Sequence, residues 1–315
     1  MKANRQTTLR SSVVLSGTGV HSGKPVKMIL HPADASTGIS FLRTNLSNGH
    51  DRLIEARHLS VSATALCTVI GEADSGCVAT IEHLMSALAG LGIDNVCVEI
   101  DGPEVPILDG SAAEFVDAIE QAGVAQLAVP RKLIKVLQTV RVDMGKSFAE
   151  LKPFDRGFRL DVEIDFDTPL IGRQRKIFDL SPAAYKREIA RARTFGFMRD
   201  VEALWKAGFA LGSSLDNTVA IGEDRIINPE GTRWPDEFVR HKVLDAVGDL
   251  ALAGAPLLGE YRSYCGGHRL NFMMLEALFA DRANYALVET LPRREAGHAE
   301  LGAGIAVPAF SPTVR

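Results

Sequence analysis

The chain has 315 residues, 46% of them hydrophobic and 23% charged, a length that two domains of ordinary size fill better than one core. Its formal charge of -4 excludes a general electrostatic attraction to nucleic acid or an anionic membrane, while leaving room for a local basic pocket that holds a phosphate. The apolar run Val13-Val14-Leu15 is too short for a signal peptide or a membrane span, so a cytoplasmic protein without integral membrane contact is expected. Cys67, Cys77, Cys97 and Cys265 show no close paired spacing and read as reduced thiols rather than a disulfide framework or a Cys-rich zinc site.

In chain order, Thr8 to Leu30 suggests two strands with a turn from Ser16 to Gly23 between or beside them. No helical pattern follows this glycine run, which makes it poor evidence for a phosphate loop, and His21 within it reads as a surface imidazole. Thr80 has the features of an N-cap for a helix over residues 81–89 closed by Gly90. That helix opens with Glu82-His83, and one turn on, its face carries only Ser86, Ala87 and Gly90, small enough for another body to approach. Asn95 to Ile100 reads as a strand, 102–111 as a loop and 112–121 as a second helix, which ends a first domain over residues 1–125.

Residues 123–130 read as a crossover into a second domain over 130–300, with strands starting again from Lys132 to Val142. Phe158 to Phe166 alternates apolar and polar, as a strand with one buried face does. Ser181 caps and Pro182 opens a helix to about Ala192. A further helix ends near Gly208, strand-like residues lie around 217–227, and another strand is expected over 257–264. Gly266, Gly267 and His268 form a loop before a helix over 270–280, a last strand covers 286–290, and residues 301–315 are expected to be a loose tail. Both halves mix antiparallel-looking strands with a few helices, which predicts an α+β fold of two layered domains rather than one parallel sheet.

The most informative stretch is Glu237 to Leu250. At 3.6 residues per turn, His241, Asp245 and Asp249 stand one above another, each about 40° round from the last, with Val239, Val243, Ala246, Val247 and Leu250 opposite. A solvated face is one reading of that stripe. Two features oppose it: His241 and Asp245 have the spacing of two ligands on one divalent ion, and the stripe runs on into Gly248 and Leu252, neither a solvating residue. Catalytic zinc also needs a third protein ligand and an open position. Glu82-His83 and His268 complete a set for metal-assisted hydrolysis, with His83, His241 and Asp245 as ligands, Glu82 to take a proton from water and His268 to give one to the leaving group. The zincin motif H-E-x-x-H is absent, which disfavours a peptidase. Taken singly, each cluster is equally explained by polar groups that merely satisfy one another.

From Glu82 to Asn95 the sequence resembles the zinc-dependent UDP-3-O-acyl-N-acetylglucosamine deacetylases that commit bacteria to lipid A synthesis. The resemblance continues through residues 107–113 and 190–200, the His241 helix, and Gly267-His268-Arg269-Leu270-Asn271, in family order over nearly the whole chain. It implies two similar domains, each a sheet layered against helices, with the site between them. It also implies a Zn²⁺ cofactor, with Fe²⁺ as the alternative, and a small-molecule UDP-sugar carrying an acyl chain as substrate. Nothing in the composition demands a protein partner, and a monomer is expected.

Position by position, the resemblance implies the ligands His83, His241 and Asp245, the base Glu82, and a second catalytic imidazole at His268 supported by Asp249. Thr194 matches a hydroxyl that touches the oxyanion, and Lys242, Phe197 and Asp109 match positions near the substrate. The stretch from Val201 through Ala210 and Leu215 to Ala220 matches an insert that forms an apolar passage for the acyl chain. Two departures bear on the diphosphate: Cys265 stands where many members have lysine, and Ser147 occupies a basic position, with Lys146 displaced by one. Two alternatives to this function are a hydrolase of another amide, and a nucleotide-sugar or lipid-binding protein whose structural metal takes Glu82 or Asp249 as a fourth ligand.

Overall fold

The structure, a computed structural model, describes residues 4–46, 49–74 and 76–290. The tail expected over 301–315 lies outside the described residues. The first half of the chain builds a five-stranded sheet in the order Val13–Thr18, Pro25–Pro32, Val96–Ile100, Ile39–Arg43, Arg52–Glu55. Met28, Leu30, Phe41, Val96, Val98 and Ile100 are fully buried on it, and helices α1 (Glu82–Leu91) and α2 (Ala113–Ala122) complete the layer. The second half builds a seven-stranded sheet around Leu257–Tyr264, which pairs with three other strands, Lys132–Val136, Ser147–Lys152 and Phe158–Asp165. Its helices are α3 (Pro182–Glu188), α4 (Met198–Lys206), α5 (Glu237–Ala251) and α6 (His268–Ala280). The α+β class read from the sequence is the one observed.

The two halves meet where α1 packs on α5. A side chain at Gly248 would place its Cβ 2.0 Å from the Glu82 carbonyl oxygen and 3.0 Å from the Ser86 nitrogen, so the helices touch backbone to backbone. Gly90, further along α1, makes the same allowance for the ring of Tyr185, whose hydroxyl donates to Ser86 Oγ at 2.8 Å. The small face of α1 is therefore a packing surface, as its residues suggested. On α5 the polar stripe is not solvated. The helix is enclosed by α1, α6 and the strands Phe158–Asp165 and Arg173–Asp179, and His241, Asp245 and Asp249 are at most 3% exposed.

Several boundaries differ from the sequence reading for identifiable reasons. α1 closes at Gly92, in the left-handed region at φ 75°, because Gly90 is spent on packing against Tyr185. Thr80 is not its cap; the Thr80 hydroxyl donates to Glu104 Oε1 instead. The supposed crossover after Gly123 is a strand, Val124–Pro130, antiparallel to Arg5–Leu9. Phe158–Asp165 alternates in sequence yet is buried on both faces, because Arg175 and Arg173 neutralise Asp161 and Glu163 there. α3 keeps its Ser181 cap, with Ser181 Oγ accepting from the Ala184 N–H, but stops at Glu188. All four cysteines are free thiols.

Gly248→Ala is expected to cost about 3 kcal/mol of stability, the scale of an overpacked core, because the clash is with backbone and cannot be relieved by a rotamer. Urea denaturation measures it; an unchanged midpoint would show that the helix pair has slack.

Candidate active site

The α1–α5 seam brings together two segments far apart in sequence. His83 Nε2 lies 3.6 Å and His241 Nε2 3.4 Å from the same oxygen, Asp245 Oδ1. The two rings meet edge to face with centroids 5.0 Å apart, and one ligand atom from each of the three residues lies within 4.8 Å of the others. These separations are long for hydrogen bonds, but match the ~3.4 Å edge of a tetrahedron with ~2.0–2.1 Å metal–ligand bonds. Asp245 Oδ1 and His83 Nδ1 are also buried without a hydrogen-bond partner. An ionised oxygen left so is costly, and a cation between the three groups removes the cost. The donor set thus fits a divalent metal.

Neighbouring groups prepare the ligands electronically. His241 Nδ1–H donates to the Ala192 carbonyl at 3.0 Å, which directs the lone pair of Nε2 toward Asp245. Burial pushes the His241 pKa down to about 3, so the ring is neutral, as a metal ligand must be. Burial alone would protonate Asp245. The Lys242 ammonium, which donates to Asp245 Oδ2 at 2.6 Å, opposes this, and the carboxyl is held well below the usual range.

Beside this cluster stands a second one. Glu82, the first residue of α1, has Oε1 3.7 Å from His268 Nε2, and Oε2 accepts from the Thr68 N–H at 3.1 Å. Burial raises the Glu82 pKa despite the opposing pull of His268 and His83. His268 opens α6 rather than lying in a loop, and its Nδ1–H donates to Asp249 Oδ2 at 2.9 Å. Burial would lower the pKa of this imidazole, but Asp249 and Glu82 together outweigh it and bring it to about 9. Asp249 is occupied on both oxygens by Thr68, Asn271 and His268. Among the described residues, the set that could hold a metal is His83, His241 and Asp245; neither Glu82 nor Asp249 joins it, so the four-ligand structural site is not what the geometry offers.

The other expected residues fall at graded distances from this centre. Thr194 lies between two residues that touch His241, namely Ala192 through its carbonyl and Phe195 through a ring contact at 6.1 Å. Its main chain is fixed by Gly110 O and Val219 N–H. Phe197 packs against Phe166 at 5.9 Å, with the Arg199 guanidinium over its ring. Asp109 is engaged by Ser111 and by Arg233 at 3.0 Å. In the insert, Ala210 and Ala220 are buried, Val201 is half-buried, and Leu215, Trp205 and Leu211 are exposed. The insert therefore carries apolar surface without apolar cover.

His21 is not the surface imidazole expected. It is half-buried, its Nδ1 accepts from the Ala210 N–H, its ring meets Phe209 edge-on, and burial lowers its pKa. The glycine turn around it is organised by Glu104, which accepts from the His21 and Ser22 amides and from Thr80. Glu104, Thr68 and Arg233 were not singled out in the sequence, since none carries a motif or a period, and Asn271 entered only as the end of the Gly267 to Asn271 motif, without a role. Strain offers a further mark: Leu66, Thr80 and Cys265 have φ of 68°, 56° and 48°, within three residues of Thr68, Glu82 and His268 respectively. Non-glycine residues in that region cost of order 1–3 kcal/mol and gather at functional sites.

The family model described as UDP-3-O-acyl N-acetylglycosamine deacetylase matches residues 6–280. The chain belongs to this family. Curated relatives from Brucella ovis and Brucella suis are each 51% identical to it over 286 residues, covering 90% of this chain and 98% of their own length. A third, from Brucella melitensis, is 50% identical over the same span. All three are named UDP-3-O-acyl-N-acetylglucosamine deacetylase. The family is metal-dependent, and in this member the buried His83, His241 and Asp245 cluster is the place among the described residues where such an ion could sit.

His241→Ala is expected to abolish stoichiometric binding of a divalent ion while leaving the far-ultraviolet circular dichroism in place. Elemental analysis of the purified variant checks this, and retention of a full equivalent would exclude the cluster.

Proposed function

We propose that this chain hydrolyses the 2-acetamido group of UDP-3-O-acyl-N-acetylglucosamine, releasing acetate and the free amine, the committed step of lipid A biosynthesis. The observation that supports this most directly is a buried carboxylate and a buried cationic imidazole, Glu82 and His268, placed beside a three-ligand cluster in a member of a deacetylase family. His83, His241 and Asp245 would hold the metal, zinc or in its place iron(II). Bound there, the ion supplies Lewis acidity toward water and the amide carbonyl.

The remaining work falls to side chains. Glu82, made more basic by burial, takes the proton from the attacking water. His268 carries a proton up to about pH 9, is oriented by Asp249, and delivers it to the departing amine. Thr194 donates its hydroxyl to the carbonyl oxygen as negative charge develops there. Lys242, Phe197 and Asp109 are assigned to the sugar and nucleotide side of the substrate. The apolar insert, with Val201, Ala210, Leu215 and Ala220, is assigned to the acyl chain, an assignment its exposed apolar side chains support. We place the protein in the cytoplasm as a monomer whose partner is its substrate; no helix among the described residues is long and apolar enough to cross a membrane.

Glu82→Gln is expected to slow acetate release by ~10²–10⁴, the usual worth of a general base, with metal content unchanged. Normal turnover by that variant removes Glu82 from the role. His268 must be protonated to act, so activity should be present below about pH 9 and lost above it. Asp249→Asn removes the charge that raises the imidazole, so the alkaline limb should move to lower pH; a limb that stays put argues against the pair.

A further inference from the structure

Asp249 is gripped from three directions. The Thr68 hydroxyl donates to its Oδ1 at 2.6 Å, while the Asn271 amide N–H at 2.8 Å and His268 Nδ1–H at 2.9 Å share Oδ2. Asn271 is itself held by the Tyr261 hydroxyl, which donates to its Oδ1. Thr68, Asp249, Asn271 and Tyr261 are all at most 3% exposed, so water does not compete for these bonds. Thr68 has a second engagement on the other side: its backbone N–H donates to Glu82 Oε2.

We propose that Thr68 is a positioning residue for both ends of the proton transfer, fixing Glu82 through its main chain and, through Asp249, the imidazole of His268. The inference rests on the acid–base reading above and deepens it. With Oδ1 tied to Thr68, the Asp249 carboxylate cannot rotate, and Oδ2 stays on His268. The ring is then held with Nε2 turned toward Glu82, 3.7 Å away. Asn271 donates to Oδ2 beside His268, so the plane of the carboxylate is set by two buried donors, one on each oxygen. Any donor would satisfy a buried carboxylate energetically; these two determine which oxygen faces the imidazole.

The test uses the full-length, metal-loaded enzyme. Thr68→Val replaces the hydroxyl with a methyl group of similar size and leaves the backbone N–H in place. It should lower kcat roughly 10- to 100-fold, the scale of one hydrogen bond to a charged group, with KM and metal content unchanged. Thr68→Ser, which keeps the hydroxyl, should recover most of the loss. In an Asp249→Asn background Thr68→Val should add little, because its effect passes through Asp249. The same loss in both backgrounds overturns the inference while leaving the acid–base reading intact, and so does a raised KM with normal kcat. If Asp249→Asn alone leaves kcat unaltered, both fall. Thr68→Ala takes the place of the valine variant if that one does not fold.

Discussion

The site is built on a contact between two backbones, where Gly248 of α5 lies on the Glu82 carbonyl of α1. A helix pair separated by ordinary side chains sits 8–10 Å apart axis to axis, and the imidazole at the start of α1 must reach a carboxylate on α5. With a glycine at the crossing, His83 comes within 3.6 Å of Asp245, and Glu82 comes beside His268. Tyr185 seated on Gly90 holds the other end of α1, so the helix cannot pivot about that point.

Such closeness forces charge into a dry place. Glu82, Asp245 and Asp249 are nearly inaccessible, and for Glu82 and Asp245 burial by itself favours the protonated form. Their partners divide them into separate tasks. The Lys242 ammonium donates to Asp245, whereas Thr68, Asn271 and His268 surround Asp249. Glu82 has a single backbone donor and a distant imidazole, and burial leaves its pKa raised. Networks of this kind contribute little to net stability compared with apolar packing, so their presence here speaks for chemistry rather than for folding.

Around this centre the loops are held by polar contacts rather than by a core. Glu104 gathers the turn of Gly19 to Gly23 and the entry to α1, and Arg193 binds Glu237 and Glu230 to secure the segment that carries Thr194. The insert beyond Phe197 is the exception. Ala210 and Ala220 are buried there, but Trp205, Leu211 and Leu215 are left exposed.

Periodicity alone placed His241, Asp245 and Asp249 on one face of a helix, because 3.6 residues per turn is a property of the backbone and needs no neighbour. The same local rules located most strands, the Ser181 cap, and the small face of α1. They misread Thr80, Gly90 and residues 123–130, where a distant partner overrode the local preference: Glu104 for the threonine, Tyr185 for the glycine, and the strand Arg5–Leu9 for the segment taken as a crossover. Only the tertiary structure divided the polar stripe of α5 between two sets of partners. His83 arrives from α1 to meet Asp245, while Thr68, Asn271 and His268 arrive from two other segments to surround Asp249. A helix specifies which way its side chains point, but their hydrogen-bond partners lie up to 181 positions away in the chain, where spacing carries no information.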